Sequence, residues 1–425
     1  MKLRIPGVEA IKQNEVVLIL VVTTAIVMLG SGIISPILPL YAQSFGVNIF
    51  MVGLMVAAYG IARIFMDIPA GRLADRFGRR TVMISGALLM VVSSLGNALA
   101  GAFWQVVVMR LIQGAGSALY VTAAQTALAD LSTPGTRGRL LSLHQGSHQI
   151  GNTFGPAAGG FLAEFLGLRA PFFAFAGIAM LAALWAYLRI PETSHRKAAT
   201  IQPTSDSAIS HSQGKPSASV IKILLMDASF VLIALMTMGN FLSHGGAQQT
   251  ILPLYGTEYL GLTEGQLGLA MTVIGIGNLI TTFMAGWLSD RFGRKTILVP
   301  GTIMLALSFA LFAVSGNVFV FVLAAALTGI ARGFSGSVPA AYAADIAPPG
   351  KFGATLGLFR TFGDIGFAIG PLLAGWIADS TGSLSIPLFA LTGLLVFSAV
   401  LFGLFARETV QTSKNPKLKI QHLQD

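Results

Sequence analysis

The chain has 425 residues, 54% of them hydrophobic and 10% charged, with a net charge of +10 and no cysteine. An ordinary soluble domain carries about 25% charged residues, so a water-soluble surface cannot be built from this composition. The lack of cysteine excludes disulfides, thiolate metal sites and thiol nucleophiles.

Apolar runs longer than the roughly 17 residues that cross a bilayer as a helix recur along the chain. They predict spans at 16–39, 48–72, 80–101, 104–129, 139–166 and 170–190, and again at 229–254, 264–289, 296–316, 317–344, 352–378 and 384–406. Unpaired backbone groups are too costly in hydrocarbon for these to be anything but helices, and the alternation of a membrane barrel is absent. The expected fold is an all-α membrane protein of twelve transmembrane helices. The first span follows Lys2, Arg4 and Lys12 but is longer than a signal-peptide core, and it meets Pro36 and Pro39 where a cleavage site would need small residues. It reads as a retained helix. Between the sixth and seventh spans, 193–219 is rich in Ser, Thr, Ala, Gln and Pro, the composition of a solvated linker. Two six-helix bundles at 1–192 and 223–425, joined by a cytoplasmic linker at 193–222, are therefore expected. The apolar patch Val220–Met226, with Lys222, suits a membrane surface.

In a soluble protein the positive charge would suggest nucleic acid; here its distribution excludes that partner. With the N-terminus in the cytoplasm, Arg72, Arg76, Arg79, Arg80, Arg137, Arg139, Arg291, Arg294, Lys295, Lys351 and the basic residues of the linker and both ends all fall inside. The outer loops hold only Arg169. This is the asymmetry of the positive-inside rule, and it places both termini in the cytoplasm, with a bacterial inner membrane as the expected location.

The chain also repeats itself. Gly71, Leu73, Asp75, Arg76, Phe77, Gly78 and Arg79 recur 215 residues later as Gly286, Leu288, Asp290, Arg291, Phe292, Gly293 and Arg294, and the same offset carries Asp130 to Asp345 and Gly155-Pro156 to Gly370-Pro371. A duplicated six-helix unit follows, and parallel repeats that rock about a midplane site are a recurrent transporter design.

The sequences GRLADRFGRR at Gly71–Arg80 and GWLSDRFGRK at Gly286–Lys295 resemble the loop signature of the major facilitator superfamily. Arg110-x-x-x-Gly114-x-Gly116 in the fourth span and Gly151-x-x-x-Gly155-Pro156-x-x-Gly159-Gly160 in the fifth are similar to signatures of its twelve-helix drug:proton antiporters, in which the fifth-helix signature is associated with export. The resemblance implies a monomeric carrier with no cofactor, exporting a small lipophilic or cationic molecule for protons through a cavity lined by helices 1, 4, 7 and 10. The first span holds no acidic residue, so sugar-like or amphiphilic substrates stay open, as does proton symport or facilitated uptake. The resemblance further implies that Asp75 and Arg76 latch against the N-terminus of helix 11, and Asp290 and Arg291 against helix 5. Physically, Gly71, Gly78, Gly286 and Gly293 allow tight reversals, while Arg79 and Arg294 anchor the loops; pure anchoring is the alternative reading. In the fifth span Gly151, Gly155 and Gly159 form a smooth stripe for a neighbouring helix, and Pro156 adds a bend.

Charges inside a bilayer are costly enough to mark function by default. Arg63 and Asp67 sit four apart on helix 2, and Arg360 and Asp364 four apart on helix 11, so each pair can neutralise itself. At 1.5 Å per residue the two pairs lie level, roughly 8–17 Å from the cytoplasmic edge. Because the family places helices 2 and 11 side by side, cross pairs Asp67–Arg360 and Arg63–Asp364 become an expected inter-half clasp that couples to protons. The resemblance also directs Arg110 into the cavity, to take part in proton transfer or to hold a nearby acid. Gln113, Ser117 and Tyr120 share its stripe, and Asn240, His244 and Gln248 form another on helix 7; Gln113, Tyr120, Asn240, His244 and Gln248, with Arg332 on helix 10, are the candidate substrate residues. His144 and His148 lack the Glu of a zinc-protease motif, and neither a metal nor an enzymatic arrangement is expected.

Overall fold

The computed structural model describes residues 6–132, 136–192, 218–348 and 351–409; most of the expected linker, and the basic residues at the two extremes of the chain, lie outside these. Twelve long helices follow the order of the predicted spans, with no strand among the described residues. They are α1 (Pro6–Ile34, continued by a turn and Leu38–Gln43), α2 (Ile49–Phe77), α3 (Arg79–Leu99), α4 (Phe103–Leu131), α5 (Arg137–Leu166) and α6 (Ala170–Arg189). Then come α7 (Ala228–Ser243, continuing through a π-helical stretch, His244–Ile251, into Leu252–Glu258), α8 (Glu264–Phe292), α9 (Arg294–Ala313), α10 (Val318–Gly336, with Val338–Asp345), α11 (Phe352–Thr381) and α12 (Ser385–Phe405). A short helix, Ala218–Met226, precedes α7 where the sequence shows its apolar patch. Ile223, Leu225 and Met226 are exposed and Leu224 is buried, as suits a helix at an apolar boundary.

Local chemistry sets the ends. Pro36 cannot continue α1, and helices begin at side-chain caps: Asn48 accepts from the Met51 amide, Asp227 from those of Ser229 and Phe230, Thr263 from Gln266 and Asn317 from Val320. The reversals after α2 and α8 occur at Gly78 and Gly293, whose φ angles of +94° and +103° suit glycine alone.

Eleven of the helices are long and apolar enough to cross a membrane, and α5 falls short because its first half carries Arg137, Arg139, His144, Gln145, His148, Gln149 and Asn152. It nonetheless has the full length of a span, at 30 residues, and packs between α1 and α8. An ion pair of 3.2 Å between Arg189 and Glu15 joins the end of α6 to the start of α1. Glu192 after α6 and Glu408 after α12 reach the α2–α3 and α8–α9 turns. The first part of α1, the ends of α6 and α12 and both loop motifs therefore share one face, the terminal face.

The halves α1–α6 and α7–α12 meet through α2 with α11 and α5 with α8. Toward the opposite, distal face the approach is so close that no Cβ fits: Gly53 lies on Pro371, Gly60 on Phe367, Gly375 on Ile49, Gly160 on Glu264 and Gly268 on Pro156. Small residues permit such backbone contact in membranes. Toward the terminal face, Gly146 on α5, Gly286 on α8 and Gly353 and Gly357 on α11 meet open space. The two bundles are joined distally and diverge toward the terminal face.

Candidate functional site

The distal closure is built from hydrogen bonds that the repeat relates. Gln43 Nε2 donates to Glu258 Oε1 at 2.5 Å, and 258 − 43 = 215, so equivalent positions of the two halves meet. Asp379 at the end of α11 accepts from the amides of Ile49 (3.0 Å) and Phe50 (2.8 Å) at the start of α2. Glu164, its repeat equivalent at the end of α5, accepts from the amide of Gly265 (3.1 Å) at the start of α8. Each carboxylate satisfies orphan donors and the positive end of a helix in the opposite half. These residues were not singled out from the sequence, although the same offset carries one acid onto the other.

At the terminal face the loop motifs bind within their own halves. Arg79 pairs with Asp75 (2.7 Å) and with Asp130 (2.9 Å) and donates to the Ala74 carbonyl, while its amide donates to Glu192 (2.8 Å). Arg294 repeats the pattern with Asp290 (2.5 Å), Asp345 (3.2 Å), Ser289 and, through its amide, Glu408 (2.8 Å). Asp75 and Asp290 are 70% and 65% exposed, so neither rests on the helix N-terminus that the family resemblance assigns to it. Arg76 and Arg291 stack on their neighbours Phe77 and Phe292.

The four charges of the expected clasp lie along α2 and α11 between the close approach of Gly60 to Phe367 and the open space at Gly357. Asp67 feels both Arg63 and Arg360, and Asp364 feels Arg63, Arg360 and Asp67. None of the four closes an ion pair within 4.0 Å, and Arg63 keeps a buried Nε without a partner. The cross pairs face each other unclosed. His148 of α5 also senses Arg63, which the sequence reading did not connect to the clasp.

Arg110 does not face open space. Its Nη1 donates to Gln113 Oε1 (2.8 Å), its Nε approaches the Met55 carbonyl, and its guanidinium lies 4.8 Å from the centre of the Tyr59 ring, so α2 covers it. Ser117 shares a hydrogen bond with the Tyr59 hydroxyl (2.8 Å). Tyr120 is fully buried, its hydroxyl beside Thr23 and Thr24 of α1 and bonded to neither. On α7 the π-helical stretch alters the expected stripe: His244 Nδ1 pairs with Gln248 (3.2 Å) and its Nε2 with Gln249 (3.3 Å), while Asn240 is buried with both amide atoms unbonded. Gly245 and Gly246 let this stretch lie on α11. On α10, Arg332 has Nε and Nη2 buried and unpartnered.

In the fifth-helix signature the glycines divide between two neighbours. Gly151, Gly155 and Gly159 leave α1 no room for a Cβ, while Gly160 packs on α8 and the Ala157 amide, next to Pro156, donates to Thr272 of α8 (3.0 Å). Their equivalents Gly366 and Gly370 pack on α7, and Gly375 on α2. The stripe thus fastens each half internally, while Pro156, Ala157 and Gly160 of the first half and Gly375 of the second reach the opposite half.

The sequence profile of the Major Facilitator Superfamily matches residues 20–265 and 240–423. Multidrug resistance protein 1 of Bacillus subtilis is 26% identical over 374 residues, which are 87% of this chain and 91% of that protein. Among solved structures, a D-xylose-proton symporter superposes with a TM-score of 0.72 at 19% identity, over 92% of this chain and 98% of its own. The nucleoside transporter NupG superposes with a TM-score of 0.76 at 14% identity, over 91% and 98%. At such identities the two structures speak for the fold alone.

Proposed function

This chain belongs to the major facilitator superfamily, whose members are multi-pass membrane transporters and not enzymes, and from that premise we propose that it exports a small organic molecule in exchange for protons. The observation that supports the proposal is that Asp67 on α2 and Asp364 on α11 each lie within electrostatic reach of both Arg63 and Arg360, one arginine from each half. A carboxylate poised between an arginine of its own helix and one of the opposite helix changes the attraction between the bundles when it takes a proton. Protonation loosens the clasp, deprotonation tightens it, and the distal caps and terminal latches alternate in response. Export is supported by the name of the Bacillus subtilis relative and by the fifth-helix signature. The domain reading of two bundles, 1–192 and 223–425, the monomeric state, the bacterial inner membrane and a cytoplasmic terminal face belong to the same proposal.

The test is proton release from reconstituted liposomes on addition of a chemically mixed substrate panel. Substrate movement against an imposed proton gradient supports antiport. Movement with the proton supports the symport reading and sinks export, and transport indifferent to D67N and D364N sinks the clasp.

A further inference from the structure

Six charged side chains stand within the membrane interior: Arg63, Arg110, Arg332 and Arg360 against Asp67 and Asp364. Both aspartates lie within electrostatic reach of Arg63 and Arg360, although no ion pair closes among the four. No carboxylate acts on Arg110 or on Arg332, and the interior is left with two uncompensated cations.

The two differ in how their guanidinium groups are satisfied. Arg110 donates to Gln113 and toward the Met55 carbonyl, and stacks on Tyr59; it is a finished structural unit. Arg332 has Nε and Nη2 buried with nothing to receive them. A guanidinium is a rigid fork of five donors matched to an oxyanion, and leaving it buried and unpaired is costly. The repeat sharpens the point. Arg332 occupies the position of Ser117 in the first half, where a small hydroxyl meets Tyr59, so the scaffold itself does not require an arginine there.

The surroundings show what is missing. The charge of Arg332 reaches His244 across on α7, but both ring nitrogens of His244 are taken up by Gln248 and Gln249, and its ring lies 5.7 Å from that of Phe367. Asn240, one turn earlier on α7, also keeps an unbonded amide. The segment holding His244, Gln248 and Gln249 is π-helical, a local departure that accompanies functional sites. We propose that Arg332 receives an acidic group of the substrate, which is an organic anion bearing a carboxylate or sulfonate. The ligand's oxyanion supplies the acceptors that the fork lacks, and Phe367 offers an apolar wall to the ligand's body. This assignment rests on the export reading for its direction of travel, not for its chemistry.

The test uses three ligands of one shape: 2-naphthoate, its neutral amide, and the cation 2-naphthylmethylammonium, with equilibrium binding to the purified full-length protein followed by intrinsic tryptophan fluorescence. The expected result is at least tenfold tighter binding of the naphthoate than of the amide. R332Q abolishes that preference, and R332K, which keeps the charge but not the fork, retains part of it. Elution of the variants as folded monomers in gel filtration, with amide binding unchanged, separates loss of the site from loss of the protein. Failure of the naphthoate to bind, equal affinity for the naphthoate and the amide, or a preference surviving in R332Q overturns the assignment. Transport by everted vesicles is scored separately: binding of the naphthoate without its proton-linked movement keeps the site and removes the export reading.

Discussion

Gln43 and Glu258 hold the same place in the two repeats, and they touch each other. Equivalent residues can meet only where the axis relating the halves passes between them, so this contact marks the pivot on the distal face. The Asp379 and Glu164 caps flank it, one on each side.

Removing the caps should open the distal face. D379N or E164Q withdraws a negative charge from a helix N-terminus, an interaction worth about 0.3–2 kcal/mol. Together the two substitutions should shift the ratio of the two states at least about threefold toward distal opening, the factor that twice the lower figure gives. The chain has no cysteine, so a pair of introduced cysteines at the terminal ends of α2 and α11 can carry spin labels without background. Their separation should shorten in the double variant; an unchanged distance distribution refutes the cap.

Neutralising the clasp should uncouple transport while sparing the fold. D67N and D364N are each expected to lower proton-driven substrate movement at least tenfold, about 1.4 kcal/mol of lost coupling, while substrate-only exchange across liposomes persists. Equal loss of both processes would mean that the aspartates hold structure and not coupling.

The two loop motifs should differ in what they contribute to stability. Arg79 and its partner Asp130 have side chains 9% and 3% exposed, against 14% and 32% for Arg294 and Asp345. Breaking a buried pair costs about 3–5 kcal/mol, and an exposed one about 0–1. R79A should therefore lower the melting temperature in detergent clearly more than R294A, which sits between these limits. The reverse order would show that the network around Glu408 and Thr409 carries more of the load than its exposure indicates.

Glycines of the two helix interfaces should separate into folding and cycling positions. Gly159 faces the Ile33 backbone, so G159A must push α5 off α1 and should abolish expression of folded protein. Gly146 and Gly357 face open space; G146L and G357L should express normally yet slow transport by obstructing closure of the terminal face. Normal transport in both variants would mean that the halves never come together there.

The helices and the repeat were legible because apolar length and a constant 215-residue offset are written along one dimension. So were the charged positions, since Arg63, Asp67, Arg360 and Asp364 stand out in apolar runs. Which partner each would take was not. Arg110 is covered by Tyr59 and Met55 of a neighbouring helix, and no spacing within α4 announces that. The π-helical stretch from His244 was equally hidden, because Gly245 and Gly246 pack on Phe367 and Gly370 of α11, more than a hundred residues along the chain and outside any local pattern. Asp379 and Glu164 escaped notice because they lie at helix ends, where an acid usually means only a solvated surface.

The polarity of α5 carries a consequence for how the protein is made. A segment too hydrophilic to enter lipid by itself has to be held at the insertion machinery until other parts of the chain can shield it. One shield, α1, has already been synthesised when α5 emerges; the other, α8, arrives about a hundred residues later. Translation arrested before α8 should leave a half-protein with its fifth crossing unsheltered, ready for the quality-control proteases, and co-expression of the missing half should rescue it.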